Sequence, residues 1–411
     1  MAGVAVLGYG TVGSGVVDVI ETHREMLSAK AGKPVYIKYI VDVREFPDSP
    51  YSDKFVSDFS TLENDPEIET VVEAIGGRRI AYEFTKRALA AGKNVVTSNK
   101  ELVAHHAVEL FELARKNNVR YMYEASVGGG IPIIRPLSQC LAANEITEIY
   151  GILNGTTNYI LTRMITASLS FEEALREAQA LGYAEADPGA DIHGDDACRK
   201  ICILASLAFG SHIHPDQVRI EGIDSIAPED IAFADAEGCR IKLLGRAKKL
   251  ENGKLYVSVA PFVIPDDSPL ASIDGVFNGI LVHGDSVDDV MFYGRGAGKY
   301  PTASAVVADV VDTMRSFGDE RRIEWGKADP DLVADCRKVS HRYMVRVYGN
   351  LKGAFDAAEK LFGEVEAIRC SAVSIFDGAF ITPELPEEKL LAGIENMKAA
   401  GVDVRNRLML L

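Results

Sequence analysis

The chain has 411 residues, 47% of them hydrophobic, and its 60 acidic and 44 basic residues give a formal net charge of −16. Such a length suffices for two or three domains, and the negative charge disfavours nucleic acid and anionic membrane surfaces as partners, which leaves small molecules. No apolar run approaches the ~20 residues of a membrane span and no basic signal precedes the first apolar segment, so we expect a cytoplasmic protein.

The first motif is a glycine-rich turn. An apolar strand over residues 4–7 runs directly into GYGTVG at 8–13. In a GxGxxG fingerprint the first glycine permits the tight turn, the second lets a pyrophosphate approach the backbone, and the third lets the following helix pack closely. A purely structural glycine turn is the alternative. We expect a dinucleotide cofactor to contact Gly8, Gly10, Thr11, Val12 and Gly13.

The next predicted strand, over residues 35–43, ends where the adenosine ribose is expected. It carries Asp42, followed by Arg44. An acid at this point accepts hydrogen bonds from the ribose hydroxyls and favours NAD, whereas an arginine pairs with the 2′-phosphate of NADP. The two residues indicate opposite cofactors, so both NAD and NADP stay open.

Strands and helices alternate through the first third of the chain. Strands are predicted over 71–75 and 94–97, with a helix over 81–91 between them. This pattern predicts an α/β fold whose N-terminal domain, residues 1–132, has a Rossmann-type parallel sheet. Lys100 follows the second of these strands, at the edge where such sheets bind ligands, and could reach nicotinamide or substrate. A surface lysine at the start of a helix is the alternative.

A middle domain of α+β type, with catalytic and dimerisation roles, is expected over 133–299. Ahead of it, three consecutive glycines in ASVGGGIP at 125–132 expose backbone carbonyls that could line a cation site. A strand over 146–153 leads into the polar turn NGTTN at 154–158, and a capping box begins a helix at Ser170. Helices packed on an open sheet are expected here, with the exposed face of the sheet as a dimer interface.

Residues 181–210 contain an acidic segment followed by an apolar helix, and we expect the chemistry to lie there. The helix is predicted to begin near Gly194, which places Asp196 and Lys200 at positions i and i+4, on one face. An exposed ion pair of roughly 0.3–0.5 kcal/mol is the alternative. A lysine on so apolar a helix is expected to be partly buried, where desolvation lowers its pKa and proton transfer becomes possible. The nearby Asp196 carboxylate raises that pKa, so the direction of the net shift stays open. Glu185 and Asp191 lie in the preceding loop.

A second glycine turn, GRGAG at 294–298, precedes an Ala/Val-rich helix assigned to 300–320. A glycine turn before a helix suits an anion, so Gly298 is a further cofactor candidate. Because its face is unusually apolar, the helix is expected to return to the first domain and pack there.

Taken in order, these motifs resemble the homoserine dehydrogenase family over roughly the first 320 residues. They are the fingerprint at 8–13, SNK at 98–100, EASVGGGIP at 124–132, NGTTN at 154–158, GYAEADP at 182–188, and GAG with PTASAV between 296 and 306. The resemblance implies reversible, NAD(P)-dependent interconversion of L-homoserine and L-aspartate 4-semialdehyde, in threonine and methionine biosynthesis.

The resemblance also implies roles for single residues. Lys200 matches the proton-transfer lysine, and Lys100 the lysine near nicotinamide and substrate. Glu185 and Asp196 match the substrate-binding acids, with Asp191 in the same loop. Reducing an aldehyde leaves an alkoxide that needs a proton, and the α-ammonium group of the substrate needs a carboxylate, for which Glu185 is the preferred candidate.

A structural monovalent cation, sodium by expectation, and an oligomer are implied in the same way. The cation site matches Glu124 together with the carbonyls of Val127, Gly129 and Ile131. The oligomer would be a homodimer or a dimer of dimers.

Residues 340–411 read as strand, helix, two strands, helix and strand, a βαββαβ order that resembles a small ACT regulatory domain. GNLKG at 349–353 replaces the usual proline-containing ligand turn, so threonine as an effector is a hypothesis and a structural or dimerising domain is the alternative.

Two other functions stay open at this point. One is a catalytically silent NAD-binding amino-acid sensor, and the other is a dehydrogenase of a different amino-acid semialdehyde. The joint presence of Lys100, Glu185, Asp196 and Lys200 favours an enzyme, because a sensor does not need a proton-transfer lysine.

Overall fold

The computed structural model describes residues 2–315 and 322–411. The chain divides into two compact units. Unit 1 comprises Met1–Glu145, Cys202–Pro215 and Phe292–Asp329, and unit 2 comprises Ile146–Ile201, Asp216–Met291 and Pro330–Leu411. In the described part of the chain, no helix is both long and apolar enough to cross a membrane.

Both units contain strands and helices. In chain order, the strands are β1 (Ala2–Leu7), β2 (Val35–Val41), β3 (Phe55–Val56), β4 (Ile68–Glu73), β5 (Asn94–Thr97), β6 (Tyr121–Met122), β7 (Ile146–Ile152), β8 (Arg219–Ile220), β9 (Cys239–Lys249), β10 (Leu255–Pro265), β11 (Phe277–Gly284), β12 (Asp288–Arg295), β13 (Ser340–His341), β14 (Tyr343–Tyr348), β15 (Glu366–Ile368), β16 (Asp377–Ile381), β17 (Leu385–Pro386) and β18 (Asp403–Leu410). The helices are α1 (Thr11–Thr22), α2 (Arg24–Ala31), α3 (Ser60–Glu63), α4 (Arg79–Ala90), α5 (Lys100–Lys116), α6 (Gly155–Ala167), α7 (Phe171–Ala180), α8 (Gly189–Ile192), α9 (Asp195–Phe209), α10 (Pro228–Ala236), α11 (Lys299–Met314), α12 (Leu351–Phe362) and α13 (Glu387–Ala399).

Unit 1 contains the predicted parallel sheet. Its six strands run in the order β3-β2-β1-β4-β5-β6, and the pairs are parallel. The sheet forms because β1, β2, β4 and β5 are short apolar runs, each followed by a helix or loop that crosses back over the sheet. The strand order reverses between β1 and β4, and ligands bind at such a switch point in open α/β sheets.

Helix α11 packs against α1 within unit 1. The backbone of Gly15 in α1 approaches α11 so closely that a Cβ atom there would lie 2.8 Å from the Lys299 carbonyl oxygen. Val16, Val17 and Val306 join the same apolar cluster. The helix predicted over 300–320 begins one residue earlier than expected and ends at Met314, and its last predicted residues, 316–320, lie outside the described residues.

Most strands of a ten-stranded sheet belong to unit 2. Nine strands follow the order β12-β11-β7-β9-β10-β18-β14-β16-β15, and β8 pairs with β10 off this path. The C-terminal βαββαβ segment was predicted correctly in element order apart from the two-residue strands β13 and β17, which pair with each other. Its strands β14, β15, β16 and β18 continue the sheet of the middle region, because β18 runs parallel to β10 and pairs Met409 with Phe262. One apolar cluster joins Phe262 to Tyr343 and Phe380.

Strand β9 was not predicted from the sequence. Its run CRIKLLGRAKK carries basic residues at positions that are buried in the sheet. Lys242 is fully buried and its Nζ donates to the Ile273 carbonyl at 2.6 Å, and Arg246 pairs with Glu148 at 2.6 Å. These partners are remote in sequence. The basic residues of β9 are therefore typical of an exposed segment when the sequence is considered alone, although the strand is buried in the sheet.

Candidate active site

The glycine-rich turn at 8–13 has the geometry expected of a phosphate cradle. Gly8 has φ +89°, and a Cβ there would lie 2.7 Å from the Ala74 carbonyl oxygen. A Cβ at Gly13 would collide with the Gly8 carbonyl, whereas a Cβ at Gly10 would have nothing within 4 Å. The first and third glycines are therefore required by packing, and the second leaves the backbone open on the ligand side.

Helix α1 starts in this turn at Thr11, and Val12 follows in its first turn. Its N-cap residue is Gly10, and no side chain caps the helix. The first amides of an α-helix have no partner within the helix, and the helix dipole favours negative charge at this end. The start of α1 is therefore suited to a pyrophosphate.

Asp42 and Arg44 bind each other just beyond β2. The Asp42 carboxylate accepts the Tyr9 amide at 2.7 Å and the Arg44 Nε at 3.0 Å. Its side chain is 6% exposed, against 60% for Arg44. The Arg44 guanidinium, followed by the backbone bonds, holds the pKa of Asp42 well below its usual range. Strand β2 ends at Val41, two residues earlier than predicted, and Asp42 then turns to bond the glycine-rich turn.

Gly298 lies at the N-cap of α11, with φ +120° and no side-chain cap on the helix. The first residue of this helix, Lys299, forms an ion pair with Asp18 of α1 at 2.7 Å. The start of α11 therefore lies beside the middle of α1, and an uncapped helix start favours negative charge.

The predicted cation turn is tightly built. A Cβ at Gly129, which has φ +52°, would lie 2.5 Å from the Gly296 carbonyl oxygen. The Glu124 carboxylate, 2% exposed, accepts the amides of residues 133, 134 and 135 at 2.8, 2.8 and 3.0 Å. The side chain of Glu124 is thus committed to the backbone, which leaves its carbonyl, with those of Val127, Gly129 and Ile131, as the candidate oxygen ligands.

Helix α9 brings Asp196 and Lys200 together in unit 2. Their side chains are 2.7 Å apart, and the two residues are only 4% and 7% exposed. The Lys200 ammonium also donates to the Leu153 carbonyl at 2.7 Å. The exposed-pair alternative is therefore excluded: this is a buried pair whose ammonium group is held in a fixed position.

Asn154 connects Asp191 of α8 to Asp196 of α9. It was not among the site residues predicted from the sequence. Its Nδ2 donates to Asp191 Oδ1 and to Asp196 Oδ2, both at 2.8 Å, while its Oδ1 accepts the Thr157 amide and caps α6. The NGTTN motif was the available signal, but only as a polar turn. We call Asn154, Asp191, Asp196 and Lys200 the Lys200 cluster.

Glu185 does not join this cluster. It lies in the exposed turn between α7 and α8, where its backbone carbonyl accepts a hydrogen bond from Gln179 at 3.1 Å. Within the described ranges, its carboxylate has no hydrogen bond or ion pair. The structure thus gathers two of the three predicted substrate acids around Lys200.

Lys100 is the first residue of α5, and only Ser98 and Asn99 separate it from β5. The helix is capped by Asn99, whose Oδ1 accepts the Leu102 amide at 3.0 Å. Asn99 also donates to the Gly77 carbonyl at 2.7 Å, which ties the start of α5 to the loop after β4. Lys100 therefore lies at the ligand-binding edge of the parallel sheet, as predicted.

Comparison with known families gives matches over most of the chain. Residues 132–311 match the family described as homoserine dehydrogenase, and residues 8–124 match the homoserine dehydrogenase NAD binding domain. A homoserine dehydrogenase of Pseudomonas aeruginosa is 42% identical over 335 residues, which cover 81% of this chain and 77% of that protein.

Solved structures extend the similarity to the C-terminal region. The crystal structure of a homoserine dehydrogenase from Thiobacillus denitrificans superposes with a TM-score of 0.89 at 35% identity, covering 100% of this chain and 98% of that one. A hyperthermophilic archaeal homoserine dehydrogenase in complex with NADPH has a TM-score of 0.64 at 27% identity and covers 76% of this chain and 97% of its own.

Proposed function

The chain belongs to the homoserine dehydrogenase family, and we propose that its Lys200 cluster performs the proton transfer of the reaction. The reaction is the NAD(P)-dependent interconversion of L-homoserine and L-aspartate 4-semialdehyde. The observation that carries the proposal is the buried Lys200 ammonium group, held 2.7 Å from both the Asp196 carboxylate and the Leu153 carbonyl.

The chemistry requires a proton donor at a fixed point. The glycine-rich turn would hold the dinucleotide, which would supply the hydride that reduces the aldehyde carbon. The oxygen of that carbonyl then carries negative charge and takes a proton from Lys200; in the oxidation direction Lys200 takes the proton back. Asp196 and the Leu153 carbonyl orient the ammonium group, and burial strengthens its interaction with the developing alkoxide.

We propose that the amino-acid end of the substrate is held by the acids of unit 2. Its α-ammonium group needs a carboxylate. Asp191 and Asp196 are ordered by Asn154, whereas Glu185 offers an exposed carboxylate in the turn between α7 and α8. Lys100, at the ligand edge of the parallel sheet, is proposed to contact nicotinamide or substrate.

The dinucleotide is proposed to lie across the carboxyl ends of β1, β2 and β4. The open backbone at Gly10 and the uncapped start of α1 support pyrophosphate binding there, with Gly298 as a second contact. We propose that the Asp42–Arg44 pair sets the choice between NAD and NADP, because it places both a carboxylate and a guanidinium beyond β2.

Three further expectations remain proposals. A sodium ion would be bound by carbonyls of the 124–131 turn, since the Glu124 carboxylate is already used. A homodimer or a dimer of dimers is favoured by strand β12 at one end of the large sheet, where Met291 and Tyr293 are 42% and 53% exposed. Threonine as an effector is proposed to bind the C-terminal segment because its element order resembles an ACT domain.

The direct test is an assay of nicotinamide reduction. Purified protein is mixed with L-homoserine and either NAD⁺ or NADP⁺ at alkaline pH, and absorbance of the reduced cofactor is followed. We expect reduction that depends on L-homoserine. Binding of either dinucleotide with no turnover would instead favour the silent sensor, and turnover only with another amino-acid alcohol would reassign the substrate.

A further inference from the structure

A buried carboxyl group lies at the switch point of the parallel sheet. Strand β4 ends at Glu73 and its neighbour β5 ends at Thr97, and the parallel register pairs these two residues. Both strands lead into loops at the edge where open α/β sheets bind ligands: 74–77 after β4, and 98–99 before Lys100. None of the sequence motifs drew attention to Glu73.

The two loops are joined by a closed ring of hydrogen bonds. The Glu73 carboxylate accepts the Ile75 amide at 2.8 Å and the Thr97 hydroxyl at 2.5 Å. The same Thr97 oxygen accepts the Asn99 amide at 2.9 Å. The Asn99 side chain closes the ring by donating to the Ile75 carbonyl at 3.3 Å and reaches further to Gly77 at 2.7 Å. The ring thus fixes the residue immediately before Lys100.

The composition of the ring does not suit a purely stabilising role. Glu73 and Thr97 are fully buried. Among the described residues, the partners of the carboxyl group are a hydroxyl and backbone or side-chain amides, none of them cationic. Burial raises the pKa of Glu73 to about 7, and the bonds from Thr97 and Ile75 oppose that rise. An apolar side chain of similar volume would avoid this desolvation cost. The hydrogen bonds of the ring therefore fix the positions of the two loops rather than add to the stability of the fold.

We propose that Glu73 is a positioning residue of the dehydrogenase: through Thr97 and Asn99 it holds the start of α5, and with it Lys100, in register with the loop after β4. This inference rests on the proposed role of Lys100 at the nicotinamide or substrate. Displacing a reacting group by about 1 Å costs on the order of 100-fold in rate. Loss of the ring should therefore lower kcat more than it raises KM.

Thr97→Val tests the ring with nearly unchanged side-chain shape. Its matched control is Thr70→Val, because Thr70 is a buried threonine of β4 whose hydroxyl bonds Thr313 at 2.8 Å, outside the ring. We expect kcat to fall about 10- to 100-fold in Thr97→Val, with KM for the dinucleotide changed by less than about threefold. Thr70→Val should keep the wild-type kcat. Thr97→Ser, which keeps the hydroxyl group, should keep most of the wild-type kcat.

Glu73→Gln separates charge from shape. Wild-type kcat is measured from about pH 6 to about pH 9, where a carboxyl group with a pKa near 7 changes its charge. We expect the wild-type profile to have an inflection near neutral pH and the Glu73→Gln profile to lack it. Equal kcat values in Thr97→Val and Thr70→Val, or an unchanged pH profile in Glu73→Gln, would overturn the proposal.

Amide exchange keeps the test independent of activity. Hydrogen–deuterium exchange of the 98–102 segment should accelerate in Thr97→Val and stay at the wild-type rate in Thr70→Val. If the wild-type protein does not oxidise L-homoserine, the proposed function fails, while exchange still decides whether the ring orders this segment. Unchanged exchange in Thr97→Val would refute the ring itself.

Discussion

The glycine-rich turn of unit 1 and the Lys200 cluster of unit 2 reach their geometry by different means. The turn is formed by backbone atoms. A Cβ atom at Gly8 or Gly13 would collide with neighbouring backbone, whereas Gly10 faces open space. The cluster is made of side chains whose positions depend on one another through Asn154. A backbone site is therefore sensitive to added volume, and a side-chain site to the loss of a single polar group.

The largest effect is expected at Lys200. Lys200→Met keeps an unbranched side chain that ends one atom short and removes the ammonium group, so turnover of L-homoserine should fall about 10²- to 10⁴-fold. Lys248→Ala, which removes a half-exposed lysine of the same unit, should turn over at the wild-type rate. A Lys200→Met enzyme with more than a tenth of wild-type kcat would remove Lys200 from the mechanism.

Asn154→Ala should have the next largest effect, because it removes one hydrogen bond from Asp191 and one from Asp196. We expect kcat/KM for L-homoserine to fall about 10- to 100-fold. The variant also loses the cap of α6, at about 1 kcal/mol. Asn350→Ala is the control, since Asn350 caps α12 in the same manner through the Gly353 amide. Equal losses of activity in the two variants would reduce Asn154 to a helix cap.

Two alanine substitutions test the glycine-rich turn. Gly10→Ala should fold with the wild-type Tm and weaken dinucleotide binding about tenfold, because its methyl group occupies the ligand side. Gly13→Ala should instead destabilise the protein by about 1–3 kcal/mol, because its methyl group meets the Gly8 carbonyl. Thermal unfolding and dinucleotide titration of both variants separate the two roles.

The Asp42–Arg44 pair should govern cofactor preference. Asp42→Asn removes the charge that repels a 2′-phosphate, so the ratio of kcat/KM for NADP to that for NAD should rise about tenfold. Arg44→Ala should move the ratio in the opposite direction. An unchanged ratio in both variants would mean that cofactor preference is set elsewhere in the glycine-rich turn or at Lys299.

The smallest effect concerns acid stability in unit 1. His212 Nδ1 accepts the Trp325 indole N–H at 3.1 Å, and burial, followed by nearby histidines, lowers the pKa of His212 to about 4. Because the unfolded state then binds a proton more readily than the folded state, the free energy of unfolding falls as the pH drops from ~6.5 toward 4. His212→Gln should reduce this acid-induced loss in the free energy of unfolding by about 1 kcal/mol. Fluorescence of Trp325, the single tryptophan, reports the transition.

Much of the fold was predictable because its signals are local. Strand β5, the capping box at Ser170 and the C-terminal element order follow from apolar periodicity and turn residues within a few positions. The spacing of Asp196 and Lys200 on α9 was likewise predictable. Their burial was anticipated only in part, since it depends on the carbonyl of Leu153, which is remote in sequence.

The features that sequence reasoning missed depend on contacts between distant segments. Asn154 and Glu73 reach partners 37–42 and 24 residues away, respectively. Lys242 is a buried charge whose partners are 84 and 31 residues away. A single sequence shows each of them as an isolated polar residue, and only the folded chain shows what each one binds.

The most direct test of the central claim is a fluorescence titration of reduced dinucleotide into the wild-type enzyme and Lys200→Met, run beside the turnover assay. If the glycine-rich turn binds the cofactor and Lys200 transfers the proton, the two proteins should share a Kd within about twofold while turnover is lost. A Kd that weakens in proportion to the loss of turnover would contradict this division of roles and make Lys200 a cofactor-binding residue.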